Sequence, residues 1–287
     1  MDNFAFMLAY WKLLKPRLSF LVVLSTLLSY AYALDDGSHW HYWVILGLAG
    51  FFITGAANAS NQIIEIRLDA LMNRTKNRPM PTGAISSTNG FTYSICLLVL
   101  GELALYFYFN LNAALLALIS YCLYAFIYTP LKPKTPLSVL VGAFPGALPV
   151  LVGCIAAGNH LYPDYFILFG IQFFWQFPHF WSIAWVLDED YQRAGFRLLP
   201  FGREKDSTAA YYIFIYTVAT VLISLFPSFL QLAGDWYTGI AAVGGIGFLW
   251  MAIRHLRFLT TKTARGVMFY SFFYLPLIQL LLAIDKI

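Results

Sequence analysis

Asn61, Glu65 and Asp69 recur every fourth residue at the end of a long apolar run. If the helix continues through them, their side chains share one face over roughly 12 Å. Arg67, Arg74, Lys76 and Arg78 interleave with this ladder or follow it. Carboxylate and amide oxygens suit a hard divalent cation and guanidinium and ammonium groups suit phosphate, so the stretch could hold a magnesium diphosphate. On spacing alone the lesser alternative is a solvated charged loop at a membrane surface. A second cluster, Asp188, Glu189 and Asp190, is followed by Arg193 and Arg197. Asp190 and Arg193 lie one helical turn apart, so local ion pairs are one reading. Three consecutive acids repel one another, however, and a divalent cation would relieve that repulsion.

Between the clusters, Tyr128, Thr129, Lys132, Lys134 and Thr135 form a short polar turn punctuated by Pro130, Pro133 and Pro136. Proline fixes φ and stiffens such a turn. The next apolar run contains Gly142, Pro145, Gly146 and Pro149, which a membrane helix tolerates where freed backbone lines a cavity or meets a neighbour. The following run sets Gln172, Gln176 and His179 among aromatics. His179 could contact a metal centre or polar substrate, or be a hydrogen-bonded packing residue. Glu102 stands alone in an apolar run, and the sequence names no partner for it.

These residues are carried by elements that composition identifies plainly. Of 287 residues, 60% are hydrophobic and only 11% are charged, which excludes an ordinary soluble domain. Nothing supports nucleic-acid binding. Cys96, Cys122 and Cys154 are far apart within apolar runs and read as packing residues, not as a metal site or disulfide framework. The first seventeen residues mix aromatics with Lys12, Lys15 and Arg17, as an interfacial segment does. Apolar runs long enough to cross a bilayer fall near 18–34, 43–66, 91–109, 113–130, 138–157, 165–187, 211–233, 237–253 and 267–284. Nine spans with the amino terminus inside put seventeen of the eighteen Lys and Arg on the cytoplasmic side. Only Lys286 lies outside, while Asp35, Asp36, Asp164 and Asp235 fall in the outer links. The carboxyl terminus is then outside, and the long polar loops 67–90, 188–210 and 254–266 are cytoplasmic. The chemistry is expected there.

Four stretches carry a resemblance: YWKLLKPRLSFL at 10–21, NQIIEIRLDALMNRTKNRPMPTG at 61–83, YTPLKPKTPLSVLVGAFPGALPVLVG at 128–153 and QFPHFWSIAWVLDEDYQRAGFRLLP at 176–200. In this order they resemble the UbiA superfamily of intramembrane prenyltransferases, in its heme-modifying branch. The resemblance implies a single all-α integral membrane domain over 1–287, a polytopic bundle of nine transmembrane helices around a central cavity, in a bacterial inner membrane. It implies farnesyl transfer from farnesyl diphosphate to a vinyl group of heme b with addition of water, and Mg2+ as cofactor. Asn61, Glu65, Asp69, Asp188 and Asp190 would be metal ligands, and Arg74, Lys76, Arg78, Lys132 and Arg193 would neutralise diphosphate. Tyr128 would shield the developing cation, and His179 would approach the heme. A downstream heme-oxidising enzyme is implied as a consumer of product; the oligomeric state is left open. Two departures stand out: Gln62 and Glu65 replace the superfamily's commoner aspartates, and Arg67 stands where the heme branch usually has an acid. Other readings are prenyl transfer to a quinone precursor or chlorophyll-like acceptor, and a non-catalytic heme transporter or channel.

Overall fold

The computed structural model describes residues 3–34, 39–158, 160–202 and 204–287; Asp35, Asp36 and Arg203 lie outside the described residues. The described chain is helical. A short α1 (Asn3–Leu13) leads through a tight corner into α2 (Pro16–Ala33). Then come α3 (Trp40–Ile64), α4 (Ile66–Asp69), α5 (Ser87–Tyr108) and α6 (Leu111–Cys122). A π-helical turn, Leu123–Tyr128, continues α6 into α7 (Thr129–Leu131). The second half comprises α8 (Ser138–Gly158), α9 (Tyr165–Val186), α10 (Asp188–Arg193), α11 (Ser207–Phe229), α12 (Asp235–Phe258) and α13 (Thr261–Ile284).

Among the described residues, nine helical stretches match the nine expected spans, and eight are both long and apolar enough to cross a membrane. The ninth, α9, has 22 residues and carries Gln172, Gln176 and His179 among its apolar and aromatic side chains. Polar caps start several of the helices: Ser86, Asn110 and Asp206 each accept from a backbone N–H three residues on, and Thr260 forms a reciprocal box with Thr263. The expected long loop 254–266 is not found. Arg254, Arg257, Lys262 and Arg265 ride on extended ends of α12 and α13, and only residues 259–260 link the two helices. Likewise Tyr128 and Thr129 are still helical, so the proline-rich turn begins at Lys132.

The core divides at α8. One apolar cluster joins α2, α3, α5 and α6 to α8, and the other joins α8 to α9, α11, α12 and α13. The helix breakers of α8 are satisfied by neighbours. Pro149 lacks the N–H that would bond the Pro145 carbonyl, and Ser120 Oγ of α6 donates to that oxygen at 3.0 Å. From α9, Gln176 Nε2 donates to Ala143 O at 2.9 Å and Gln172 Nε2 to Gly146 O at 3.2 Å. Gln279 Nε2 of α13 donates to Gln172 Oε1 at 2.8 Å, and Ser25 Oγ of α2 donates to Gln279 Oε1 at 2.9 Å. At that depth hydrogen-bonded side chains tie four helices together. Cys96, Cys122 and Cys154 are free thiols.

Candidate active site

The acidic ladder is not one continuous helix. Glu65 breaks α3 from α4, with φ −93 and ψ 12. Nevertheless Glu65 N still bonds Asn61 O and Asp69 N still bonds Glu65 O, so the four-residue repeat keeps its face. Asn61, Glu65 and Asp69 are all buried. Each carries a cation: Lys15 Nζ donates to Asn61 Oδ1 at 2.9 Å, Lys132 Nζ lies 2.9 Å from Glu65 Oε1, and Arg78 Nη1 donates to Asp69 Oδ2 at 2.7 Å. Asn61 Nδ2 in turn donates to Thr129 Oγ1, which joins the ladder to the end of the α6–α7 stretch. Burial works against the charge on Lys132, but Glu65 and neighbouring tyrosines outweigh it and raise its pKa. Lys15 has no carboxylate of its own. Burial, then repulsion from Arg78 and Lys132, lower its pKa to about 7.

The second acidic stretch reaches the same end of the bundle. Asp190 accepts the backbone N–H of Asn73 at 2.7 Å and of Arg74 at 3.1 Å. It thereby clasps the loop that also supplies Arg78, and Thr75 of that loop donates to Asp69 O. Burial raises the Asp190 pKa, but the two N–H donors, Arg193 and Arg74 together bring it below its ordinary value. Below the clasp, Met72, Ala194 and Phe196 form a small buried core with Leu68, Tyr191 and Leu198 against it. Arg74 lies over the Tyr191 ring, 5.8 Å from its centroid, and Lys132 over the Tyr128 ring at 4.7 Å. Gly142 is required here: a Cβ on it would sit 2.7 Å from the Tyr128 ring.

The structure therefore divides the five expected metal ligands. Asn61, Glu65 and Asp69 share one face, whereas Asp188 and Asp190 lie on α10 and make other contacts, and among the described residues no three His, Cys, Asp or Glu side chains converge on a point. The reason is helical. Residues two apart on α10 point to opposite sides, so Asp188 turns to Gln192 and Lys205 while Asp190 takes the loop. Of the expected phosphate cations, Lys132 and Arg78 face the ladder. Arg74 and Lys76 are exposed, with Lys76 bonded to Asn73, and Arg193 lies 3.7 Å from Asp190 with half its side chain in solvent. Arg67 is exposed. His179 lies between α9 and α13, where Ser271 Oγ takes its Nδ1 at 2.8 Å and Trp175 stacks on its ring. Glu102 Oε1 is buried without a hydrogen bond, in keeping with the missing partner.

Sequence reasoning missed Lys15 and Tyr191. Lys15 sits in the corner between α1 and α2 at φ 45, ψ 61, a left-handed conformation that costs a non-glycine residue about 1–3 kcal/mol. The corner is built to hold it. Gln62 Nε2 donates to Leu13 O, Asn58 Nδ2 and Ser19 Oγ to Leu14 O, and a Cβ on Gly55 would meet Leu14 at 2.9 Å. The available signal was the Lys-Pro pair, since the residue before proline rarely continues a helix.

A divalent cation fits the ladder. Asp69 Oδ1 is buried and has no hydrogen-bond partner, beside a carboxylate and an amide oxygen of the kind a hard cation takes. The chain is 44% identical over 276 residues to a protoheme IX farnesyltransferase of Christiangramia forsetii, covering 95% of this chain and 91% of that protein. It is 41% identical over 279 residues to one of Cytophaga hutchinsonii, covering 97% and 98%. A solved digeranylgeranylglyceryl phosphate synthase shares the fold with TM-score 0.80 at 20% identity, covering 98% of each chain. A UbiA homolog from Archaeoglobus fulgidus bound to GPP and Mg2+ matches with TM-score 0.71 at 16% identity, covering 95% and 99%. The family model for UbiA prenyltransferases matches residues 22–275, and the chain belongs to the UbiA prenyltransferase family.

Proposed function

We propose that this chain, as one integral membrane domain over 1–287, transfers the farnesyl group of farnesyl diphosphate to a vinyl group of heme b with addition of water, releasing diphosphate. The observation that carries the reading is a buried ladder of two carboxylates and an amide, each held by a cation. The curated relatives supply the acceptor and the prenyl donor. Asn61, Glu65 and Asp69 would hold Mg2+, which when bound supplies positive charge to the leaving diphosphate. Asp190 serves the site through the loop it clasps.

Lys132 and Arg78 neutralise diphosphate oxygens as the allylic carbon–oxygen bond breaks. Because they are largely shielded beside the ladder, with 11% and 21% of their side chains exposed, they act with reduced competition from water. As Lys132 turns toward the diphosphate, it frees the face of the Tyr128 ring for the allylic cation. The vinyl electron pair then forms the new carbon–carbon bond, water oxygen bonds to the other vinyl carbon, and that water releases one proton. His179 approaches the heme from the α9–α13 seam, with Ser271 fixing its ring. The positive-inside distribution of lysine and arginine supports an orientation with this end of the bundle in the cytoplasm of a bacterial cell and the carboxyl terminus outside. The test is purified chain in nanodiscs with heme b, farnesyl diphosphate and Mg2+. A heme heavier by a farnesyl group plus a hydroxyl group is expected; no such product overturns the reading.

A further inference from the structure

The three ladder cations are not equivalent. Arg78 faces Asp69 and Lys132 faces Glu65, but Lys15 faces only the neutral amide of Asn61. Three basic side chains thus meet two carboxylates, so the charge of a protonated Lys15 has no carboxylate of its own in a largely desolvated place. Packing does not call for that charge. The corner residues Leu13 and Leu14 are fixed by Gln62, Asn58 and Ser19 through backbone carbonyls, independently of the Lys15 side chain. Yet the corner adopts a left-handed backbone at Lys15, whose ammonium reaches the ladder at Asn61. An ammonium has three donors, and the bond to Asn61 uses one.

We propose that Lys15 is a diphosphate ligand: its ammonium binds a phosphate oxygen of the prenyl donor beside the ladder, making the α1–α2 corner a third wall of the anion site. This rests on the prenyl-transfer reading for its substrate. An acceptor carboxylate is the competing anion, and the position of Lys15 among Arg78 and Lys132 favours the diphosphate. The full chain in nanodiscs, with Lys15→Met, Lys15→Arg and the exposed-lysine control Lys12→Met, tests it. Calorimetric titration with inorganic diphosphate in Mg2+ is paired with KM for farnesyl diphosphate and for heme b. Lys15→Met is expected to weaken diphosphate and raise the farnesyl diphosphate KM about tenfold or more, with the heme KM within about twofold. Lys15→Arg should recover most of the affinity, and Lys12→Met should match wild type. Unchanged diphosphate affinity in Lys15→Met, or a rise confined to the heme KM, overturns the proposal. Wild type that binds diphosphate but makes no farnesylated heme overturns the prenyl-transfer reading instead, and leaves the diphosphate titration to judge Lys15.

Discussion

Asp190→Ala should loosen the loop from Asn73 to Arg78 while leaving the bundle folded. The substitution removes two charge-assisted hydrogen bonds, at 2.7 and 3.1 Å, to the backbone N–H groups of Asn73 and Arg74. Such bonds contribute about 1.5–3 kcal/mol each where water is excluded. Asn73 and Arg74 are exposed, so water replaces part of the loss and the lower figure applies, about 3 kcal/mol for the pair. The Arg193 contact at 3.7 Å, half in solvent, adds little. About 3 kcal/mol corresponds to roughly a hundredfold rise in the open population of the loop. Amide hydrogen exchange in nanodiscs, resolved at Asn73 and Arg74, should show that loss of protection while α8 and α9 amides stay unchanged. Asp190→Asn keeps one acceptor and should lose roughly tenfold. Because the folded-state pKa lies below the ordinary value of 3.8, the clasp persists from neutral pH down past that value and is lost only below it. Wild-type protection at both amides in Asp190→Ala, or release of the clasp between pH 5 and pH 7, would refute this reasoning.

Lys132→Met strands Glu65 with 4% of its side chain exposed, which should lower stability by about 3–5 kcal/mol; Glu65→Gln in the same chain should restore most of the melting temperature without restoring transfer. Gly153→Ala should be worse than Gly146→Ala in a thermal unfolding series. The added Cβ at 153 meets the Thr26 backbone carbonyl at 2.1 Å, whereas at 146 it meets the movable Gln176 side chain, so equal melting points would contradict the packing of α8. His179→Ala should shift the Soret band of bound heme b with diphosphate affinity unchanged; an unaltered heme spectrum removes His179 from the acceptor site.

The reach of the sequence differs from element to element. Nine spans and the clustering of cations at one end were readable because hydropathy and charge are summed properties, insensitive to a few residues at each boundary. The two acidic stretches do share that end, since they close the second and the sixth spans, both even-numbered. Span ends were less readable: Arg254 and Lys262 look like loop residues, yet long helices carry their charged ends beyond the apolar stretch. Within the site, the ladder was legible because the residues recur with the helical period. The partition of Asp188 from Asp190 follows from the same period, but it depends on where Leu187 interrupts α9, which no residue type announces. Lys15 was hidden because its role is set by a fold-distant contact 46 residues away and not by any local pattern.

The central claim is that Glu65 and Asp69 would hold the Mg2+ that neutralises the leaving diphosphate of a prenyl group bound for heme. Mass spectrometry of heme recovered from nanodiscs carrying wild type, Glu65→Gln or Asp69→Asn, each supplied with heme b, farnesyl diphosphate and Mg2+, tests it most directly. The expected result is a hydroxyethylfarnesyl heme from wild type and at most about one per cent of it from either variant, a loss of roughly 3 kcal/mol in transition-state stabilisation. Wild-type yields from both variants, with the bundle intact, would contradict it.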